Sequence, residues 1–191
     1  EFLSRLTGLE GLYASFFVTN DSVTPLKGNG YCFPTEAQWE FVCRAGTTSR
    51  FWSGDQEAQL ARTEWYARNS GGRTHNVGEL PSNPFGFYDM VGNVTEYVDD
   101  KWSDDYFQRC LDLPSINPRG PTDEGVGRVR RGGDWHYSHT FCFSGVRHKC
   151  HNSTFSPWIG LRAALPIDAV RQVLKQQPTT DTNTTWHGWP D

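Results

Sequence analysis

The sequence predicts an α+β domain with much irregular structure. Three observations predict it. Of 191 residues only 36% are hydrophobic, yet 14% are aromatic, with 8 Trp, 12 Phe and 7 Tyr. Glycine reaches 19 and proline 11. Helical and strand-like segments are short and separated by long polar stretches. Few aliphatics and many rings imply a core of large rigid side chains. Helical bundles and coiled coils need long Ala/Leu/Glu/Lys-rich periodic runs, and disordered chains lack aromatics, so both classes are excluded.

Residues 2–8 read as the end of an amphipathic helix stopped by Gly8 and Gly11. The chain thus opens inside a helix, and further chain is expected upstream. Residues 12–19 have strand composition, and residues 20–30 are turn-rich. The clearest helix start follows. Thr35 as N-cap and Gln38 three residues on make a capping box, with Trp39, Val42 and Cys43 as the apolar stripe and Gly46 as the stop. Residues 47–86 read as irregular, with Trp52, Trp65 and Tyr66 as anchors and a turn at Asn69–Gly72. Short strands are expected at 94–98, 128–131 and 158–164, with a polar excursion at 103–125. Pro166 ends the domain, 1–165, and residues 166–191 form a short helix and a polar tail carrying Trp186 and Trp189.

A net charge of −4 argues against a nucleic-acid partner, which calls for a basic face. No apolar run approaches the roughly 18 residues a membrane span needs, and no signal-peptide pattern is visible. The five cysteines, Cys32, Cys43, Cys110, Cys142 and Cys150, are an odd set for a disulfide framework, with room for two bridges at most. Four Asn-x-Ser/Thr sequons stand at Asn20, Asn93, Asn152 and Asn183.

Five stretches then align with one family. Tyr31–Phe41 resembles its "R-L-P-T-E-A-E-W-E-Y" segment. Asn69–His75 with Val77-Gly78 resembles "N-S-G-G-R-T-H-P-V-G". Asn83–Val94 resembles "N-x-F-G-L-Y-D-M-x-G-N-V", Arg128–Trp135 resembles "R-V-x-R-G-G-S-W", and Ile159–Arg162 resembles "I-G-F-R". Their order and spacing resemble the sulfatase-modifying-factor, or formylglycine-generating-enzyme-like, family over residues 1–165. The resemblance implies a C-type-lectin-like fold, here without the family's usual N-terminal portion.

The resemblance also implies chemistry. The family's oxidases bind copper(I) through two cysteines five residues apart and oxidise a substrate cysteine with oxygen; thiolates are soft ligands that suit Cu(I). Carried over, those positions are Tyr137 and Cys142. Asp134 replaces the motif's Ser, and Thr95 replaces a Trp. Tyr137 offers no thiolate, so the copper pair is broken. Cys142, His148, Cys150 and His151 have zinc-ligand types but no standard zinc spacing. The matching positions imply a structural Ca²⁺ at Asp89, Gly92, Val94 and Glu96, where carboxylates and carbonyls on a Gly-bearing turn suit a hard cation.

Residues 134–158 collect Tyr, His, Ser, Asn and Phe, the residue types of adaptable binding surfaces. The expected ligand-binding residues are Asp134, His136, Tyr137, Ser138, His139, Thr140, Phe143, His148, His151, Asn152 and Phe155. Relatives of this kind include the variable proteins of diversity-generating retroelements, whose equivalent strip is randomised. The expected function is a non-catalytic module binding a protein or peptide through this strip. The alternative is a copper-dependent formylglycine-generating oxidase using Cys142; a third reading is a scaffold domain of a larger protein.

Overall fold

A computed structural model describes residues 2–18, 23–26, 28–112, 116–122, 127–151 and 156–176. The chain divides into two units, one of residues 1–32 with 164–191, the other of residues 33–163.

In the first unit, helix α1 (Phe2–Leu9) buries Leu3 and Thr7. Strands β1 (Phe16–Val18) and β2 (Val23–Pro25) pair antiparallel. The turn-rich reading of 20–30 therefore hides a strand. Thr7 ties this unit locally: its hydroxyl donates to Leu3 O at 2.7 Å and accepts from the Tyr31 N–H at 3.0 Å. The C-terminal helix (Ile167–Gln176) belongs to the same unit, and Asn29 donates to its Gln172 at 2.7 Å.

In the second unit, helix α2 (Glu36–Arg44) begins at the expected capping box. The Thr35 hydroxyl accepts from Gln38 N–H at 3.2 Å, and the Gln38 side chain accepts from Thr35 N–H at 2.9 Å. Two of the helix's orphan donors are thereby satisfied. Ala45 closes the helix in the left-handed region at φ 47°. A one-turn helix, α3 (Glu57–Leu60), interrupts the stretch read as irregular.

A four-stranded sheet forms from β3 (Thr95–Lys101), β4 (Arg128–Arg131), β5 (Arg147–Cys150) and β6 (Ile159–Leu161) in the order β5-β4-β3-β6. Only β3 and β6 run parallel. Helix α4 (Tyr106–Asp112) lies in the polar excursion. The core joins Trp39, Phe51, Leu60, Tyr66, Met90, Val91, Val98, Val129 and Cys142. Of the rings expected as anchors Tyr66 lies in it, whereas Trp52 and Trp65 are only partly buried.

Ion pairs stand where regular structure is missing. Arg131, 0% exposed, donates to Val146 O at 2.6 Å and Ser144 O at 2.8 Å, bonds Glu40, and lies over the Trp39 ring. Arg147 grips Glu36 with two bonds, 2.6 and 2.8 Å, and lies over Trp102 and Phe107. Such forked bonds fix geometry as well as charge. All five cysteines are free thiols. Of the sequons, only Asn93 lies among the described residues; it is 3% exposed and exchanges two bonds with the His75 backbone, so it offers no acceptor surface.

Candidate functional site

The strip begins where β4 runs into Gly132 and Gly133. Gly133 has φ 70°, and a Cβ there would lie 2.5 Å from Phe141 O and 2.7 Å from the Cys142 sulfur. Only glycine permits this close return of the chain. The following backbone is pinned from below. Trp135 N–H donates to Asn93 O at 3.0 Å, Ser70 hydroxyl to Trp135 O at 2.8 Å, and Ala67 N–H to Tyr137 O at 3.0 Å. Residues 139–141 then make a 3₁₀ turn, and β5 follows. The fixing bonds use strip backbone and residues outside the strip, which leaves His136, Ser138, Thr140, Phe141 and His151 at the surface while Tyr137 and Phe143 pack against the core.

Those side chains fall into three groups. Asp134 is fully buried: it accepts from Thr95 hydroxyl at 3.2 Å and from His136 N–H at 3.0 Å, and the His136 ring nitrogen Nδ1 lies 2.5 Å from its Oδ1. Asp134 therefore orients His136 and does not itself reach solvent. A run of rings comes next. His136 packs between Trp158 and Tyr137, at 5.0 and 4.5 Å between ring centroids, and Tyr137 stacks on His148 at 5.3 Å. Phe141, half exposed, closes the run against Tyr137 at 5.5 Å. Ser138, Thr140 and His151 are exposed; His139 approaches Glu57 at 3.5 Å, and Phe143 lies under the Arg50 guanidinium. Asn152 and Phe155 lie outside the described residues.

The sequence reading missed Phe141, Arg50 and Glu57. Phe141 stood in the right segment, next to Thr140, an expected ligand-binding residue, and to Cys142. Arg50 and Glu57 come from a stretch carrying no motif. Burial and the neighbouring Arg130 lower the pKa of His148, and its Nε2 has no partner.

Cys142 sits beneath the rings at 0% exposure. Its sulfur contacts Asp134 O at 3.7 Å and Tyr137 O at 3.8 Å. Burial, and then Asp134, push its thiol pKa up to about 12. A thiol held protonated is a poor nucleophile, and it must give up its proton to bind a metal.

The comparisons with known proteins decide the family. The model of the sulfatase-modifying factor enzyme 1-like domain matches residues 5–167. The chain belongs to this family. Mouse formylglycine-generating enzyme is 31% identical over 143 residues, covering 69% of this chain and 36% of that protein. A Chlamydia pneumoniae protein named serine/threonine-protein kinase pkn1 is 31% identical over 139 residues, covering 73% of this chain and 22% of its own length. The chain thus spans a minor part of either relative. Treponema denticola variable protein 1 superposes with a TM-score of 0.76 at 27% identity, covering 86% of this chain and 67% of that one. The expected C-type-lectin-like α+β fold holds.

Within the family fold, the two metal expectations meet different obstacles. Copper needs paired thiolates, and this chain pairs a phenol, Tyr137, with the buried neutral thiol of Cys142; these residues do not fit it. At the expected calcium position the Glu96 carboxylate accepts from Arg162 at 2.8 and 2.9 Å and from the Trp39 indole at 2.7 Å. Arg162 also bonds the Tyr88 and Asp89 carbonyls, and Asp89 accepts from Gly78 N–H at 2.8 Å. A guanidinium thus already pairs with Glu96, one of the four residues at which the resemblance implies Ca²⁺, and an ion there would have to share that carboxylate. Among the described residues, no three His, Cys, Asp or Glu side chains converge on a common point. Among the described residues no helix is long and apolar enough to cross a membrane.

Proposed function

We propose that this chain is a non-catalytic binding module whose contact surface is the strip from His136 to His151. One observation carries the reading: the strip backbone is held by bonds from Asn93, Ser70 and Ala67, while His136, Ser138, Thr140, Phe141 and His151 are exposed above a neutral, buried Cys142. Such a strip can change its side chains without losing its path. Rigid rings supply contact area at low entropic cost, and Ser138 and Thr140, 2.5 Å apart, supply adaptable hydrogen bonds. The likeness to a variable protein supports this reading, and a protein or peptide is the partner class such a surface suits.

The test is partner capture with the full chain, followed by a double substitution of two exposed residues, Ser138→Ala with Thr140→Ala. Affinity for the captured protein is expected to drop at least tenfold with thermal stability unchanged. Unaltered affinity overturns the reading.

The 31% identity to formylglycine-generating enzyme favours a second reading, oxidation of a cysteine-containing peptide. It requires stoichiometric Cu(I) bound through Cys142. Copper titration of the chain and of Cys142→Ala is expected to give no thiolate-dependent difference; a difference of one equivalent reverses the preference.

A further inference from the structure

A second recess lies elsewhere in the same unit and shares no residue with the strip. It opens between α2 and α4, has a volume of about 410 Å³, and is walled by Ala37, Phe41, Tyr106, Phe107 and Pro118. That volume falls within the range of small-molecule pockets. Its wall is apolar, yet three carboxylates line it, Glu36, Glu40 and Asp100, against one guanidinium, Arg44.

These carboxylates are not equivalent. Glu36 is gripped by Arg147, and Glu40 by Arg44 and Arg131. Asp100 has no ion pair among the described residues. It is 2% exposed, and its Oδ2 accepts from Glu36 N–H at 2.7 Å. Gly120, at φ 76°, lets the backbone close over it: a Cβ there would fall 2.9 Å from Asp100 Oδ1. The positive charge that reaches it, Arg147, is bonded to Glu36, so Asp100 shares a guanidinium and holds none of its own, which makes its burial costly.

We propose that this recess binds a primary amine on an apolar stem, with the ammonium paired to Asp100 and the stem against Phe41, Tyr106 and Phe107. The chemistry follows from the wall. A neutral apolar ligand would leave Asp100 unpaired. An anion would meet three carboxylates. An ammonium gives Asp100 a direct partner while its stem covers rings that are otherwise wet, Phe41 at 66% and Phe107 at 48% exposure. Burial already raises the Asp100 pKa to about 6, which marks the cost that a bound ammonium would relieve.

Benzylamine and its neutral counterpart benzyl alcohol test this on the full chain, by titration with amide-resolved NMR. Benzylamine is expected to bind saturably, at least tenfold tighter than the alcohol, shifting Ala37 and Phe107 and leaving Ser138 and His139 still. Asp100→Asn is expected to remove that preference. Because Asp100 is buried, Ala37→Trp, at an exposed helix position, gives an independent check by filling the recess: benzylamine binding is lost with the fold intact. Equal affinity for the two probes, binding by neither, a preference that survives Asp100→Asn, or binding unaffected by Ala37→Trp each overturns the proposal. None of these readouts depends on the strip.

Discussion

β4 ends in one kind of chemistry and leads into another within three residues. Arg131, its last residue, is wholly buried and has its guanidinium bonded to Glu40, Val146 O and Ser144 O. From Trp135 onward exposed side chains, His136, Ser138, Thr140 and Phe141, stand beside rings packed on the core, Tyr137 and Phe143, and the Trp135 and Tyr137 backbone is pinned from below. In the first region each side chain has several partners and little freedom. In the second, the exposed side chains touch mostly one another. A fold with little regular structure stays rigid this way: charged forks and indole contacts replace helices and long strands, and one surface is freed from structural duty.

The largest expected effect comes from breaking the first region. Arg131→Met removes the buried guanidinium, strips Glu40 of one cation and leaves the Val146 and Ser144 carbonyls unpaired. Loss of one partner of a buried ionic network costs about 3 kcal/mol or more. Chemical denaturation should show this, whereas the strip double substitution should stay within about 0.5 kcal/mol of the parent. Comparable losses in both regions would erase the distinction.

The sequence shows one of these regions far better than the other. The capping box at Thr35 and Gln38 and the strands around 95–101, 128–131 and 159–161 are legible because local chemistry determines them. β5 is not: Arg147-His148-Lys149-Cys150 has no apolar alternation, and it is a strand because β4 pairs with it and Arg147 reaches back to Glu36, 111 residues away in sequence. α4 hides in a polar excursion for the same reason, its rings facing a neighbour and not a local stripe. Asp134 looks like a surface residue by type. Its burial follows from three bonds, to Thr95, to the His136 backbone and to the His136 ring, which no spacing rule announces.

Asp134 is the hinge of the comparison, being a buried bond-maker inside the strip. Asp134→Ala leaves Thr95 hydroxyl and His136 N–H without their acceptor in a buried site, an expected loss of about 2 kcal/mol. It should also free the His136 ring, weakening partner binding where Thr95→Val does not. If Asp134→Ala is as mild as Ser138→Ala, Asp134 belongs to the surface group.

The two regions should also answer pH with opposite signs. Burial raises Asp100 from 3.8 to about 6, so the folded state favours its protonated form. Below both values this group has no effect; as pH rises from about 4 to 6 the unfolded chain releases the proton first, and stability falls, by about 3 kcal/mol. Asp100→Asn abolishes that fall. His148 is shifted the other way, below 6.5, by burial and then Arg130. Its folded form resists protonation, so stability drops as pH falls below about 6.5. His148→Gln flattens this slope. Melting temperatures between pH 4 and 8 for the parent and both variants separate the contributions; one shared slope would refute the assignment.

The smallest expected effect is calcium's, and it is informative because it is small. A divalent cation at Asp89 and Glu96 must compete with Arg162, whose charge is already delivered through two bonds to Glu96 and two to loop carbonyls. Ligands that bind only the folded state stabilise it by mass action, so a real site would reveal itself in the melting temperature. Millimolar Ca²⁺ is expected to raise that temperature by less than about 1 °C in the parent. A rise of several degrees would mean that Arg162 yields Glu96 to the ion. The guanidinium would then be a stand-in, and the loop from Asp89 to Glu96 would join the regions held by ionic bonds through a metal.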